Sequence, residues 1–135
     1  MISKKFVDEL EYLITGACIE VHKTIGPGLL ESVYKNCLIH ELSLQEIPFV
    51  VEQSVRIDYK GLELDVALSA DIFVANAIVV ELKAVKEFIP IYDAQLLTYM
   101  KLLQAPKGIL INFCCTNIVQ NGKKSFVNEF YRDLL

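Results

Sequence analysis

Between Asp71 and Glu81 the only polar side chain is Asn76, and this apolar run closes on Glu81-Leu82-Lys83. Side chains on a strand alternate faces, so Glu81 and Lys83 point one way while Ile78, Val80 and Leu82 take the other. Asn76 suits a turn, which would return Asp71 beside Glu81. Each charge costs several kcal/mol if buried unpaired, so a hairpin of this kind must compensate two acids and a base at one end. The residues alone leave two readings open. One is an ion pair at a partly solvated strand end, and the other is a metal site with a helper lysine.

The rest of the chain narrows the setting. Its 135 residues are enough for one domain, 1–135, with a sizeable core and no need of disulfides. Hydrophobic residues make up 53% and charged residues 22%, which excludes a disordered polyelectrolyte. Acids interrupt the N-terminal segment where a signal peptide needs an apolar stretch, and no run reaches the roughly 18 apolar residues of a membrane span. A cytoplasmic, membrane-free protein is expected. Cys18, Cys37, Cys114 and Cys115 lack Cys-x-x-Cys spacing, and His22 and His40 are too far apart for a local histidine motif. The net charge of -4 argues against a uniformly basic nucleic-acid surface but leaves room for a local basic groove, and carboxylates that hold divalent ions would count toward it. Lys86, Lys101, Lys107, Lys123 and Lys124 are scattered cations of the kind found on solvated surfaces.

Phe6, Leu10, Leu13, Ile14, Ala17, Val21 and Ile25 recur at helical spacing, predicting a helix from Lys4 to about Ile25. Gly26-Pro27-Gly28 ends it. A second helix is expected from Leu29 or Leu30 to about Gln45, with Leu30, Val33, Tyr34, Cys37, Leu38 and Leu42 inward. Period two then takes over from Phe49 to Lys60, Lys60-Gly61 turns the chain, and Leu62, Leu64, Val66 and Leu68 form the apolar side of the next strand. With Asp71–Ala75 and Ala77–Lys83 these suggest an antiparallel meander. Pro90 suits the first turn of a third helix, about Ile91 to Leu103, packing through Leu96, Leu97, Met100 and Leu103. Gly108 to Phe113 reads as a buried strand, and the crossover allows it to run parallel to the Glu81 strand. The segment Ser125 to Leu135 fits strand or helix. The expected class is α/β, with helices against a mixed sheet.

This order of helix, meander, Asp, Glu-x-Lys, helix and strand resembles the PD-(D/E)XK nuclease-like superfamily. More narrowly, Gly28-Leu-Leu-Glu31-Ser-Val-Tyr34 resembles the signature of the small bacterial and archaeal GxxExxY proteins. The resemblance runs from about Ile14 through Phe113 and includes Ile19-Glu20-Val21-His22, Val80-Glu81-Leu82-Lys83-Ala84-Val85, Ala94-Gln95-Leu96-Leu97-Thr98-Tyr99 and Ile111-Asn112-Phe113. It implies a restriction-endonuclease-like core and a divalent-metal-dependent nuclease acting on nucleic acid, with DNA favoured over RNA. A catalytically silent nuclease-fold module for self-association or partner docking is the alternative.

The same resemblance implies roles for residues. Asp71 and Glu81 would bind Mg²⁺ or Mn²⁺, with the carbonyl of Leu82 as a further ligand and Glu31 joining from the second helix. Lys83 would position or activate the attacking water. Gln95 and Tyr99, which share a helix face at i and i+4, are similar to a motif that follows the catalytic lysine in recombination-repair exonucleases, and would orient a phosphate or Lys83. The bland alternative makes Tyr99 a core aromatic. Tyr34 lies on the face of Glu31, as a packing aromatic whose hydroxyl could reach Glu31 or the lysine region. Glu20 and His22 are second-tier candidates, because related exonucleases use a first-helix histidine as a metal ligand. Asp58-Tyr59-Lys60 also satisfies D-x-K, but it abuts a turn on a wet strand face and reads as a solvated hairpin edge. The high apolar content fits a homo-oligomer as well as a full core.

Overall fold

The computed structural model describes residues 2–67 and 70–135. Helix α1 spans Lys4–Ile25. Its first turn is capped by Ser3, whose Oγ accepts from the Phe6 N–H at 3.1 Å, and it ends where Gly26 takes φ 74° and donates to the His22 carbonyl. The chain continues through α2 (Glu31–Leu44), β1 (Phe49–Val51), β2 (Ser54–Tyr59), β3 (Leu62–Ala67), β4 (Ile72–Val74), β5 (Ile78–Lys83), α3 (Pro90–Leu102), β6 (Lys107–Asn112), β7 (Lys123–Val127) and the short α4 (Glu129–Arg132). A π-helical turn, Ile118–Gly122, leads into β7.

Five strands form one mixed sheet in the order β1-β4-β5-β6-β7, and β5 and β6 are its parallel pair. The crossover between these two strands is α3, as the sequence predicts. Ala75 and Asn76, at φ 50° and 54°, make the β4–β5 turn, with the Ala77 N–H donating to the Val74 carbonyl at 2.9 Å. Two left-handed residues in succession define the hairpin turn whose twist matches its strands.

Alternation divides the sheet into two faces. Ile78, Val80, Leu82, Ile109 and Ile111 meet α1 and α2 in one cluster, while Phe73, Val79 and Leu110 meet Leu96 and Met100 of α3 in the other. Gly108 keeps the second layer close, since a Cβ there would fall 2.5 Å from Met100 Sδ and 3.0 Å from Leu96. The β2–β3 hairpin forms a separate two-stranded sheet that packs Val55 and Val66 against this second cluster.

Several sequence expectations change here. The single period-two stretch from Phe49 to Lys60 is two strands, because Glu52 turns left-handed at φ 55° and the chain leaves the main sheet. The expected meander is therefore β4–β5 in the main sheet and β2–β3 outside it, with β1 pairing across to β4. Leu68 lies outside the described residues. Leu30 and Val33 are exposed rather than inward, as are Phe6, Leu13 and Leu97, since no further layer covers these faces. The ambiguous C-terminal segment divides into β7 and α4.

Lys107 and Lys123 are not free surface cations. Lys107 is buried and donates to Asp8 Oδ1 at 3.0 Å and Glu11 Oε1 at 2.6 Å, while Lys123 stands 3.0 Å from Glu11 Oε2. Lys124 pairs with Asp93 at 3.2 Å. Asp58 stays on the exposed hairpin edge and accepts the Gly61 N–H. Among the described residues no helix is long and apolar enough to cross a membrane.

Candidate metal centre

The tight β4–β5 turn sets Asp71 opposite Glu81, and the two carboxylates are laced into each other's backbone. The Asp71 N–H donates to Glu81 Oε1 at 3.1 Å, and the Leu82 N–H donates to Asp71 Oδ2 at 2.7 Å. Both acids are buried, with relative exposures of 8% and 3%. Burial raises the affinity of both for protons. For Glu81 the nearby Asp71 charge adds to desolvation, and its carboxyl is pushed up to about 8. For Asp71 the Leu82 N–H and the Lys35 ammonium oppose desolvation without cancelling it.

Helix α2 brings Glu31 within electrostatic reach of this pair. Its affinity for protons is also raised, by burial and by Asp71, against the opposing charges of Lys83 and Lys35. Lys83 shares its strand face with Glu81, and its Nζ lies 4.5 Å from the centre of the Tyr92 ring on α3. Four of the residues singled out from the sequence, Glu31, Asp71, Glu81 and Lys83, thus lie within electrostatic reach of one another around one end of β5. Leu82 contributes its N–H to the clasp and buries its side chain in the core.

Lys35 is the cation that sequence reasoning missed. One helical turn after Glu31, it stands 3.8 Å from Asp71 Oδ1 and 3.8 Å from Glu52 Oε1. The i, i+4 spacing on the face of Glu31 was the available signal. Asn112 was also missed as a support. Buried at the end of β6, it accepts the Val85 and Cys114 N–H groups and donates to the Val85 carbonyl, pinning the chain just after Lys83.

The other candidates lie elsewhere or act differently. The Tyr34 hydroxyl reaches neither Glu31 nor the lysine region. It donates to the Gly26 carbonyl at 2.6 Å and accepts the Leu29 N–H at 3.1 Å, while the ring stacks on Phe113 with centroids 4.4 Å apart. Tyr34 therefore latches the turn that launches α2 and so sets where Glu31 points. His22 lies against the chain after β6, its Nε2 hydrogen-bonded to the Cys115 carbonyl at 2.9 Å. Glu20 is exposed on α1, within 3.4 Å of the Thr24 hydroxyl. On α3, Tyr99 packs against the second core cluster, and Gln95 is half-buried next to Leu96.

Hard oxygens held close enough to retain protons suit a small divalent cation, whose charge would relieve both desolvation and mutual repulsion. Among the described residues, however, no three His, Cys, Asp or Glu side chains already stand together as a finished metal cage. The donor chemistry fits, with Asp71 and Glu81 as its nucleus.

No curated protein and no solved structure matches the chain. The sequence pattern of the PD-(D/E)XK nuclease superfamily matches residues 8–125, a span that begins within α1 and contains the hairpin with its two acids and lysine, α3 and β6. Members of this superfamily generally use divalent metal ions, and nucleic acid is their general substrate class. With its mixed five-stranded sheet between helices, this chain belongs to the PD-(D/E)XK nuclease superfamily.

Proposed function

We propose that this protein is a divalent-metal-dependent nuclease, a single domain of the GxxExxY type that hydrolyses phosphodiester bonds, in DNA rather than RNA. The observation that carries this reading is the Asp71–Glu81 clasp, two buried acids held together with Glu31 nearby and Lys83 on the same strand face. Asp71 and Glu81 would hold Mg²⁺ or Mn²⁺, with Glu31 and the Leu82 carbonyl completing the donor set. When bound, such an ion supplies Lewis acidity toward a phosphate oxygen and acidifies a water. Lys83 orients the attacking water and offsets charge on the scissile phosphate, and the Tyr92 ring limits where its ammonium can go. Gln95 steadies a substrate phosphate, with Tyr99 supporting it from the same helix. Four unpaired cysteines suit a reducing cytoplasm.

The test is cleavage of single- and double-stranded DNA and RNA with Mg²⁺ or Mn²⁺. Cleavage that Asp71→Ala, Glu81→Ala and Lys83→Ala each abolish, with circular dichroism unchanged, is the expected result. Folded wild-type protein that cuts none of these substrates with either metal refutes the reading.

One observation favours a second reading, a nuclease fold used only for docking. Lys35 already sets a built-in counter-ion beside Asp71. In that case calorimetry at millimolar Mn²⁺ gives no heat, and Lys35→Ala does not create any.

A further inference from the structure

The outer face of α1 carries a pattern that is symmetric about Gly16. Taking Gly16 as the centre, Leu13 and Ile19 lie three residues to either side, Tyr12 and Glu20 four, and Glu9 and Lys23 seven. At about 100° per residue all of these fall within about 60° of Gly16 on the helix circumference. They point away from the core, which α1 meets through Val7, Leu10, Ile14 and Val21. Tyr12 is 80% exposed, Leu13 44% and Ile19 41%, and a Cβ on Gly16 would touch nothing. A groove of about 640 Å³ runs beside them, reaching Gln45 and Val119.

A helix read backwards against itself brings residue 16−n to residue 16+n of its partner. In an antiparallel pair crossing at Gly16, Leu13 and Tyr12 therefore stand level with Ile19 and Glu20 of the other copy on the two flanks of the crossing, and Glu9 faces Lys23 close to the line through Gly16. The Glu9–Lys23 pairing is acid with base and occurs twice by symmetry. The chain as a whole is at -4, but on this stripe Glu9 and Glu20 are set against Lys23, and Lys5, 4.0 Å from Glu9 in the same chain, balances the remaining charge. Glycine at the crossing lets the two backbones approach closely. Glu9 and Lys23 lie two turns, about 10.5 Å, from the crossing. At a crossing angle of about 20° the axes there have diverged by only about 4 Å, against about 9 Å at 50°, so the charge pairs select the shallow geometry.

We propose that the outer face of α1 is a self-association surface, on which a second copy of this chain docks antiparallel about a two-fold axis through Gly16. Glu81 and Lys83 lie on the face of the sheet opposite α1, and no residue of the candidate metal centre is on the outer face of α1, so each centre of such a dimer is built from one chain.

The test is sedimentation equilibrium of the wild-type chain and four variants. A dimer at micromolar concentration is expected. Gly16→Arg, which has open space in the monomer, gives a monomer with an unchanged circular dichroism spectrum. Glu9→Lys and Lys23→Glu each weaken the dimer by about tenfold or more, because both copies of the pair become like-charged. The double variant Glu9→Lys/Lys23→Glu returns the dissociation constant to within about threefold of wild type, which a docking surface for an unrelated partner would not do. A wild-type monomer at 100-fold higher concentration overturns the proposal, as does a dimer indifferent to Gly16→Arg or a double variant no better than the singles.

Discussion

Two clusters of acids and lysines lie in this fold, and they hold their protons in opposite ways. At the end of β5, Asp71, Glu81 and Glu31 are all driven toward protonation, and Glu81 reaches about 8. Where α1 meets β6 and β7, burial also pushes Glu11 upward, but hydrogen bonds from Lys107, Ser125 and Lys123 overcome it and bring Glu11 down to about 2. Both clusters are partly desolvated, so burial does not distinguish them. The difference is compensation. Glu11 faces two ammonium groups within 3.0 Å, whereas among the described residues the nearest cation to the Asp71–Glu81 pair is Lys35 at 3.8 Å from Asp71. A satisfied cluster ties elements together, and an undercompensated one is left with capacity for an added cation.

Removing one member of the satisfied cluster is the harshest test. Lys107→Ala leaves Glu11 and Asp8 facing each other over a cavity and should cost about 3–5 kcal/mol in urea unfolding. A loss below about 1 kcal/mol would mean that the contacts at 2.6 Å and 3.0 Å contribute little.

The pH dependence of stability separates the clusters next, measured in chelator. Glu81 binds its proton more tightly folded than unfolded, so its contribution is fully present below about 4.5 and is lost as pH rises toward 8. The fall is on the order of 3 kcal/mol, and Glu81→Gln should remove it. Added Mg²⁺ should restore stability most at pH 8 and above, where the carboxylate is charged. A wild-type profile as flat as that of Glu81→Gln would break the comparison.

Glu11 has the reverse sign. Its folded-state value is depressed, so its contribution is present above 4.5 and disappears as pH falls toward 2. About 2 kcal/mol should vanish over that window, and Glu11→Gln should blunt the acid limb. The baseline is the Arg56–Glu63 ion pair on the β2–β3 hairpin, whose side chains are 66% and 57% exposed. Glu63→Ala should change stability by no more than about 0.5 kcal/mol.

Local signals made much of this legible beforehand. Helical spacing and Gly26 define α1 as it stands, and the Asn76 turn with Glu-x-Lys defines the β4–β5 hairpin. Pro90 marks the start of α3. The failures are non-local. Nothing near Glu52 announces that the chain leaves the main sheet there, because the cause is the pairing of β1 with β4, some 20 residues on. Lys107 resembles any other surface lysine until Glu11, 96 residues away, is folded against it. Tyr34 was recognisable as a motif residue, but the target of its hydroxyl depends on how the Gly26–Leu29 turn folds back.

The turn at Ala75 and Asn76 has a further consequence for how the two clusters come together. The hydrogen bond between Asp71 and Glu81 spans ten residues of chain, whereas the one between Lys107 and Glu11 spans ninety-six. By the logarithmic growth of loop entropy with length, closing the longer loop costs about 2 kcal/mol more. The mutually repelling acids are therefore joined by a short leash that needs little help, and the compensated ion pairs fall where the chain must travel much further to meet itself.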